Sequence, residues 1–281
     1  MFAFKEEYPM SDMATVAVAE VAVPFYQPII GRDRQVKGYE VLARRWDPQR
    51  QSYQGIDFLS LSQDESLHVD IVMLRAIMRD LPTLAKSGPY ALSINLNPML
   101  CSPTYQNLLL LVLLQASKAG IEIWFEVLEH APLHSQHRAL IEVLRDHGAH
   151  IACDDFGTLE CNFQRVMALP YEIIKLDRSL LLQAARTPHA LKMLTGLVEY
   201  LQRLGMKVVC EGVETLTHIE VANRLGCDYQ QGYAYAMPPL PLGLIGLTHS
   251  LRLSYLPNCM MAWGRVQSRT PYIRCIPCDP A

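Results

Sequence analysis

The feature that most constrains this chain is a repeated alternation of short apolar or β-branched runs with helix-length stretches. The runs fall at Val21–Ile30, Val36–Arg44, Tyr90–Leu96, Ile121–Val127, His150–Asp154, Tyr171–Leu176 and Met206–Glu211, with a weaker eighth around Cys227–Gly232. Between them lie candidate helices at Leu67–Met78, Tyr105–Lys118, Ser135–His147, Ala190–Leu204 and Leu216–Leu225. Such alternation specifies an α/β fold with parallel strands joined by crossover helices, and it suits a closed (β/α)8 TIM-like barrel more than an open sheet. The first two runs are separated only by the short polar turn Gly31–Gln35. A link that short permits a hairpin but not a parallel crossover, so an antiparallel first strand is expected.

With 50% hydrophobic and 19% charged residues, a chain of 281 residues can fill a core of this size. The expected organisation is an N-terminal extension over 1–20, a barrel domain over 21–249 and a C-terminal tail over 250–281. Pro257, Pro271, Pro277 and Pro280 interrupt that tail, which is expected to pack on or extend from the barrel. Leu108–Leu114 is too short to cross a bilayer and reads as a buried helix. Met1–Met10 lacks the apolar run of a secretory leader. Several of the eight cysteines lie in or beside apolar stretches, where thiols pack as small hydrophobes. A reduced, cytoplasmic setting without a membrane span is therefore expected. The formal charge of −3 is not the basic footprint of a protein that binds a DNA or RNA polymer.

Polar residues recur at the ends of the strand-like runs: Glu40, Asn95, Glu126, Asp154, Lys175 and Glu211. In a parallel barrel these ends share one rim, the active one. Strand alternation puts Glu40 and Arg44 on the same face. They form either a local ion pair or a division of labour, with Glu40 on a metal and Arg44 gripping a phosphate through its planar fork. Asn95 and Asn97 each offer a carbonyl oxygen to a hard cation or a side-chain bond to a neighbouring loop. Asp154 and Asp155 are consecutive, so both reach one site only if the strand ends or bends between them. Phe156-Gly157-Thr158 looks like that exit. Lys175 either neutralises the acids or stabilises charge as a phosphate is cleaved. Glu211 and Glu214 serve the site, cap a helix or brace the loop after Asp155. Oxygen-rich ligation favours Mg²⁺ or Mn²⁺ over zinc.

Taken in order, Phe25-Tyr26-Gln27-Pro28-Ile29-Ile30, Glu40-Val41-Leu42-Ala43-Arg44, Ser93-Ile94-Asn95-Leu96, Glu126-Val127-Leu128-Glu129, Asp154-Asp155-Phe156-Gly157-Thr158, Leu169-Pro170, Ile174-Lys175-Leu176-Asp177, Glu211-Gly212-Val213-Glu214-Thr215 and Gly226–Tyr233 resemble the EAL-domain phosphodiesterases that linearise cyclic di-GMP. The resemblance runs from Phe25 to about Pro241. It implies hydrolysis of cyclic di-GMP to linear 5′-pGpG at a site for two ions. Glu40, Asn95, Glu126 and Asp154 would hold one ion, and Asp154 and Asp155 the other. Lys175 would orient the attacking water with Glu211 and Gln231 in support, and Gln27 and Arg44 would help hold the dinucleotide. Thr158 and Glu214 would support the loop. Ca²⁺ would occupy the same oxygens unproductively, since it tolerates looser geometry. A homodimer and regulation through a protein partner are also implied.

Two departures bear on activity. Leu159-Glu160-Cys161-Asn162-Phe163 replaces a segment that in the family carries glycine, tyrosine and serine, and Leu128 stands where a threonine is usual. They leave two alternatives beside an active enzyme: a catalytically weak or inactive cyclic di-GMP sensor, and a protein-interaction scaffold.

Overall fold

The computed structural model describes residues 22–88, 90–98, 102–128, 135–158 and 163–235. The expected extension over 1–20 and tail over 250–281 lie outside them.

The strands are β1 Ala22–Gly31, β2 Val36–Asp47, β3 Ser52–Gly55, β4 Ala91–Leu96, β5 Glu122–Val127, β6 His150–Phe156, β7 Ile173–Leu176, β8 Lys207–Cys210 and β9 Tyr229–Gln230. The α-helices are α1 Gln63–Leu84, α2 Pro103–Lys118, α3 Ser135–Asp146, α4 Phe163–Ala168, α5 Arg178–Arg186, α6 Pro188–Arg203 and α7 Leu216–Leu225. Parallel pairing runs β2–β4–β5–β6–β7–β8–β9. β1 is antiparallel to both β2 and β9 and closes the ring. The fold is therefore a (β/α)8 barrel whose first strand is reversed, as the short Gly31–Gln35 link requires. β3 is an additional hairpin arm on β2.

Helix starts follow local chemistry. Ser62 and Glu65 form a reciprocal capping box at α1, satisfying two backbone donors that a helix start leaves open. Ser102 and Thr187 cap α2 and α6, each followed by a proline at the first helical position, where its missing N–H costs nothing. Asp177 caps α5, and Thr215 caps α7.

Several expectations need correction. β3, α4 and α5 were not anticipated from the sequence pattern, because each is short and lacks a long apolar period. α1 extends well past Leu67–Met78 at both ends, the capping box fixing its start at Gln63. α2 is not wholly buried: Leu111 and Leu114 are exposed while Leu109, Val112 and Leu113 face the core. A run of seven consecutive apolar residues, Leu108–Leu114, hides the helical period that decides this.

Alternation along the strands builds two cores. Outward residues, among them Tyr39, Val41, Leu92, Ile94, Ile123, Phe125, Ile151, Cys153, Ile174 and Val208, pack against the helices in one large cluster. Inward residues Ile29, Ala91, Trp124, Ala152, Ile173 and Val209 form a separate plug inside the barrel, with Tyr229 against it. Trp124 supplies the largest ring of that plug and stacks at 5.4 Å on Tyr229. Trp124→Ala should cost about 3–5 kcal/mol of unfolding free energy, since neighbouring backbone cannot collapse into the void. Denaturant unfolding checks this, and a loss below about 1 kcal/mol would show that the plug carries little stability.

Candidate metal centre

Two positions beyond the plug, the inward face turns polar on every strand that contributes to it. Trp124 leads to Glu126, Ala91 to Ser93, Ala152 to Asp154, Ile173 to Lys175, Val209 to Glu211 and Tyr229 to Gln231. On the reversed β1 the same step runs backwards, from Ile29 to Gln27. A period of two in the strand thus places all these side chains in one layer, floored by the plug. Gln27, Glu40, Ser93, Glu126, Lys175 and Gln231 are buried there.

Lys175 is the hub. Its Nζ lies 2.9 Å from Glu126 Oε1, 2.9 Å from Asp154 Oδ1, 2.9 Å from Glu211 Oε1 and 3.6 Å from Glu40 Oε2. Burial alone would favour the neutral amine, but Asp154, Glu126, Glu211 and Glu40 outweigh it and hold the pKa well above the usual lysine value. Glu126 is fully buried, and its pKa is pushed well up by that burial and by Glu40, against the pull of Lys175. Burial likewise pushes Glu211 up to about 8, with Lys175 opposing and Asp154 and Glu40 adding to the rise. Gln231 Nε2 donates to Glu40 and, at 3.1 Å, to Gln27 Oε1.

The consecutive aspartates reach one site through a bulge. The β6–β7 register shifts between Cys153 and Phe156, and Asp155 takes φ = +48°. Aspartate tolerates this left-handed conformation better than most residues, at a cost of about 1 kcal/mol. One carboxylate oxygen from each of Asp154, Asp155 and Glu211 then falls within 4.8 Å of the others. The glycine exits foreseen at Gly157 and Gly212 both have positive φ, +107° and +66°. Cys153 and Cys210 are buried on the outward side, as alternation requires.

Asn95 is in register with Glu126 across β4 and β5. Asn97 is structural: its Nδ2 donates to Asp70 at 2.5 Å and to Ser66 at 3.0 Å on α1, and its N–H donates to Tyr105 Oη at 3.0 Å. Arg44 makes no ion pair with Glu40 among the described residues; its Nη1 donates to the Ala43 carbonyl at 2.9 Å. Glu214 does not cap α7, a role taken by Thr215, and pairs instead with Arg178 at 2.7 Å. Thr158 Oγ1 donates to the Asp155 carbonyl at 3.0 Å and so braces the bulge. Glu129 and the departure at 159–162 lie outside the described residues. Leu128 packs against the outer core.

Ser93 was missed as a site residue. Its hydroxyl donates to Glu126 Oε1 at 2.5 Å from a fully buried position. The signal was present, since Ser93 shares a strand face with Asn95, but a serine in a strand carries no distinctive chemistry by itself.

The donor set fits a hard cation. The layer presents carboxylates and amides, without histidine or thiolate among the described residues of that layer. The buried oxygens Glu126 Oε2 and Gln231 Oε1 accept no hydrogen bond among the described residues. An orphaned carboxylate oxygen in a fully buried site is costly unless something positive meets it.

The family model described as EAL domain matches residues 16–238. The probable cyclic di-GMP phosphodiesterase PdeG of Escherichia coli K12 is 27% identical over 231 residues, 79% of this chain and 46% of that protein. The cyclic di-GMP phosphodiesterase NbdA of Pseudomonas aeruginosa is 30% identical over 231 residues, 78% of this chain and 29% of that protein. The chain spans less than half the length of these two relatives. Among solved structures, the Bacillus subtilis YkuI protein, with an EAL domain and in complex with substrate cyclic di-GMP and calcium, superposes with a TM-score of 0.67 at 23% identity, over 83% of this chain and 60% of that one. No helix among the described residues is long and apolar enough to cross a membrane.

The raised carboxyl of Glu211, at about 8, and of Asp70, at about 7, fix a pH dependence. A carboxyl whose folded pKa is raised binds more protons folded than unfolded between the two pKa values, so stability falls as pH rises through that window. With chelator present, the melting temperature should drop between about pH 5 and about pH 8, and Mn²⁺ should restore it most at the alkaline end. A melting temperature that rises across this range, or is indifferent to Mn²⁺, would contradict the assignment.

Proposed function

The chain belongs to the EAL domain family, and from that premise we propose that its barrel domain, residues 21–249, is a divalent-metal-dependent phosphodiesterase that opens cyclic di-GMP to linear 5′-pGpG. The observation that carries this reading is the buried Lys175 ammonium among Glu40, Glu126, Asp154 and Glu211, with Asp155 turned to the same rim by the β6 bulge. Such an array is net negative by itself, so it suits divalent cations first and a phosphodiester only once they are bound.

Glu40, Asn95, Glu126 and Asp154 would hold one Mg²⁺ or Mn²⁺, and Asp154 with Asp155 a second. Bound there, the ions would neutralise the phosphodiester and ease loss of a proton from a nearby water. The chain's own groups do the rest. Lys175, fixed by three contacts of 2.9 Å, donates toward the attacking water and keeps its charge near the scissile phosphate. Glu211 holds that ammonium in place through its Oε1 at 2.9 Å. Gln231 bridges Glu40 and Gln27, so the wall of the site that faces the nucleotide is held to a metal ligand. Ser93 fixes the Glu126 carboxylate through its hydroxyl. Arg44 extends the same face of β2 and presents its fork to a phosphate. Ca²⁺ would fill the oxygen site without supporting turnover. A homodimer, a regulatory protein partner and a cytoplasmic location belong to the same proposal.

Purified protein incubated with cyclic di-GMP and Mn²⁺ should release linear dinucleotide, and chelation should stop it. Glu40→Ala and Lys175→Ala should each lower the rate by about a hundredfold or more. Tight nucleotide binding without product after prolonged incubation with Mn²⁺ would favour a sensor. Failure to bind either metal or nucleotide, alongside capture of a folded partner, would favour a scaffold.

A further inference from the structure

Strand β4 delivers Ser93 and Asn95 to the acid layer and then leaves the barrel. Its ladder with β2 ends where Val41 faces Ile94, while its ladder with β5 continues until Val127 faces Leu96. Asn95 is therefore in register with a neighbouring strand on the β5 side but not on the β2 side. Backbone tied along one edge opens more easily than backbone tied along two. Any swing there would move the amide oxygen that Asn95 offers to a cation.

A turn pinned from outside the barrel takes the place of the second ladder. Asn97 lies about 7 Å along the chain from Asn95, and its side chain turns to the helices. Its Nδ2 donates to Asp70 Oδ2 at 2.5 Å and to Ser66 Oγ at 3.0 Å, both on α1. Its backbone N–H donates to Tyr105 Oη on α2 at 3.0 Å, and the next carbonyl, of Pro98, accepts from His137 Nε2 on α3 at 2.9 Å. Three helices thus hold two consecutive residues of the exit. Asp70 is the costly member of this set. The residue is half-buried, yet its carboxyl is enclosed, and no ion pair reaches it among the described residues. Burial raises it to about 7 although Asn97 pulls the other way. An apolar side chain at this position would avoid that cost. What the carboxylate supplies is a short, direct acceptor for the buried Asn97 amide.

We propose that Asp70 is a positioning residue for the metal centre, which through Asn97 fixes the exit of β4 and with it the angle at which the Asn95 oxygen meets a divalent ion. This rests on the function proposed above and extends it to a side chain in the outer helix layer that touches neither ion nor nucleotide. Side chains that orient a ligand from behind change metal affinity by about tenfold or more when removed. The remaining oxygens of the site stay in place, so saturating metal recovers what a loosened Asn95 loses.

The test is equilibrium titration of the full chain with Mn²⁺, read by electron paramagnetic resonance, for wild type, Asp70→Leu, Asp70→Asn, Asn97→Ala and the double variant Asp70→Leu/Asn97→Ala. A thermal melt in chelator accompanies each. Asp70→Leu removes the acceptor and should bind one of the two Mn²⁺ about tenfold more weakly. Asn97→Ala cuts the same link from the strand side and carries the same expectation, also where Asp70→Leu fails to fold. The double variant should be no weaker than either single one, because both remove one connection. Asp70→Asn keeps an oxygen that accepts from Asn97 and should stay within about threefold of wild type. In turnover of cyclic di-GMP, Asp70→Leu should raise the Mn²⁺ needed for half-maximal rate about tenfold, with the rate at saturating Mn²⁺ within about threefold of wild type. Unchanged Mn²⁺ affinity in Asp70→Leu and Asn97→Ala, whether or not their melting temperatures fall, would make Asp70 a packing residue and overturn the assignment, leaving the phosphodiesterase reading intact. Losses that add in the double variant would do the same. A wild type that binds no Mn²⁺ would remove that reading and this one together.

Discussion

One buried ammonium organises the mouth of this barrel. Lys175 meets Glu126, Asp154 and Glu211 at 2.9 Å each and Glu40 at 3.6 Å. A single positive charge cannot offset four carboxylates and the adjacent Asp155. Like charges about 4 Å apart repel by about 4 kcal/mol at an effective dielectric constant near 20. The protein answers in part by raising carboxyl pKa values, Glu211 to about 8. Any carboxyl held protonated that way would give up its proton to a divalent ion bound there, so the proposed metal binding would be linked to proton release and stability.

The arrangement depends on the plug beneath it. Ile29, Ala91, Trp124, Ala152, Ile173 and Val209 fill the barrel so that nothing polar is needed below the acid layer. One strand step above, every inward residue of the layer is polar. The change within two residues keeps the site dry on its floor and open only toward the rim, where low dielectric strengthens each charge interaction. At the β6 bulge regular pairing yields to the site. There, positive φ at Asp155 is accepted so that two consecutive carboxylates face the same space.

Much of this was legible in the residues. The strand runs, the reversed first strand and the acids at strand ends follow from period-two patterning and one short link. The bend between Asp154 and Asp155 was required by geometry before it was seen. Other features were hidden for physical reasons. Arm β3 is four residues with no apolar run, and α4 and α5 are too brief to display a helical period. Asn97 and Asn95 are alike in sequence, yet only tertiary packing of α1 gives Asn97 its bonds to Asp70 and Ser66. On sequence alone Glu214 could cap a helix or brace the loop after Asp155; the neighbouring Thr215 caps α7, and Glu214 pairs with Arg178. Ser93 shows the same limit: a hydroxyl acquires its role only from the carboxylate that β5 sets beside it.

Anomalous diffraction from crystals soaked in Mn²⁺ is the most direct measure of whether these acids form a metal centre. The account predicts two peaks at the rim, about 2.1 Å from oxygens of Glu40, Asn95, Glu126 and Asp154 for one ion and of Asp154 and Asp155 for the other. Density for the Lys175 ammonium alone among those carboxylates, with manganese elsewhere or nowhere, would contradict it.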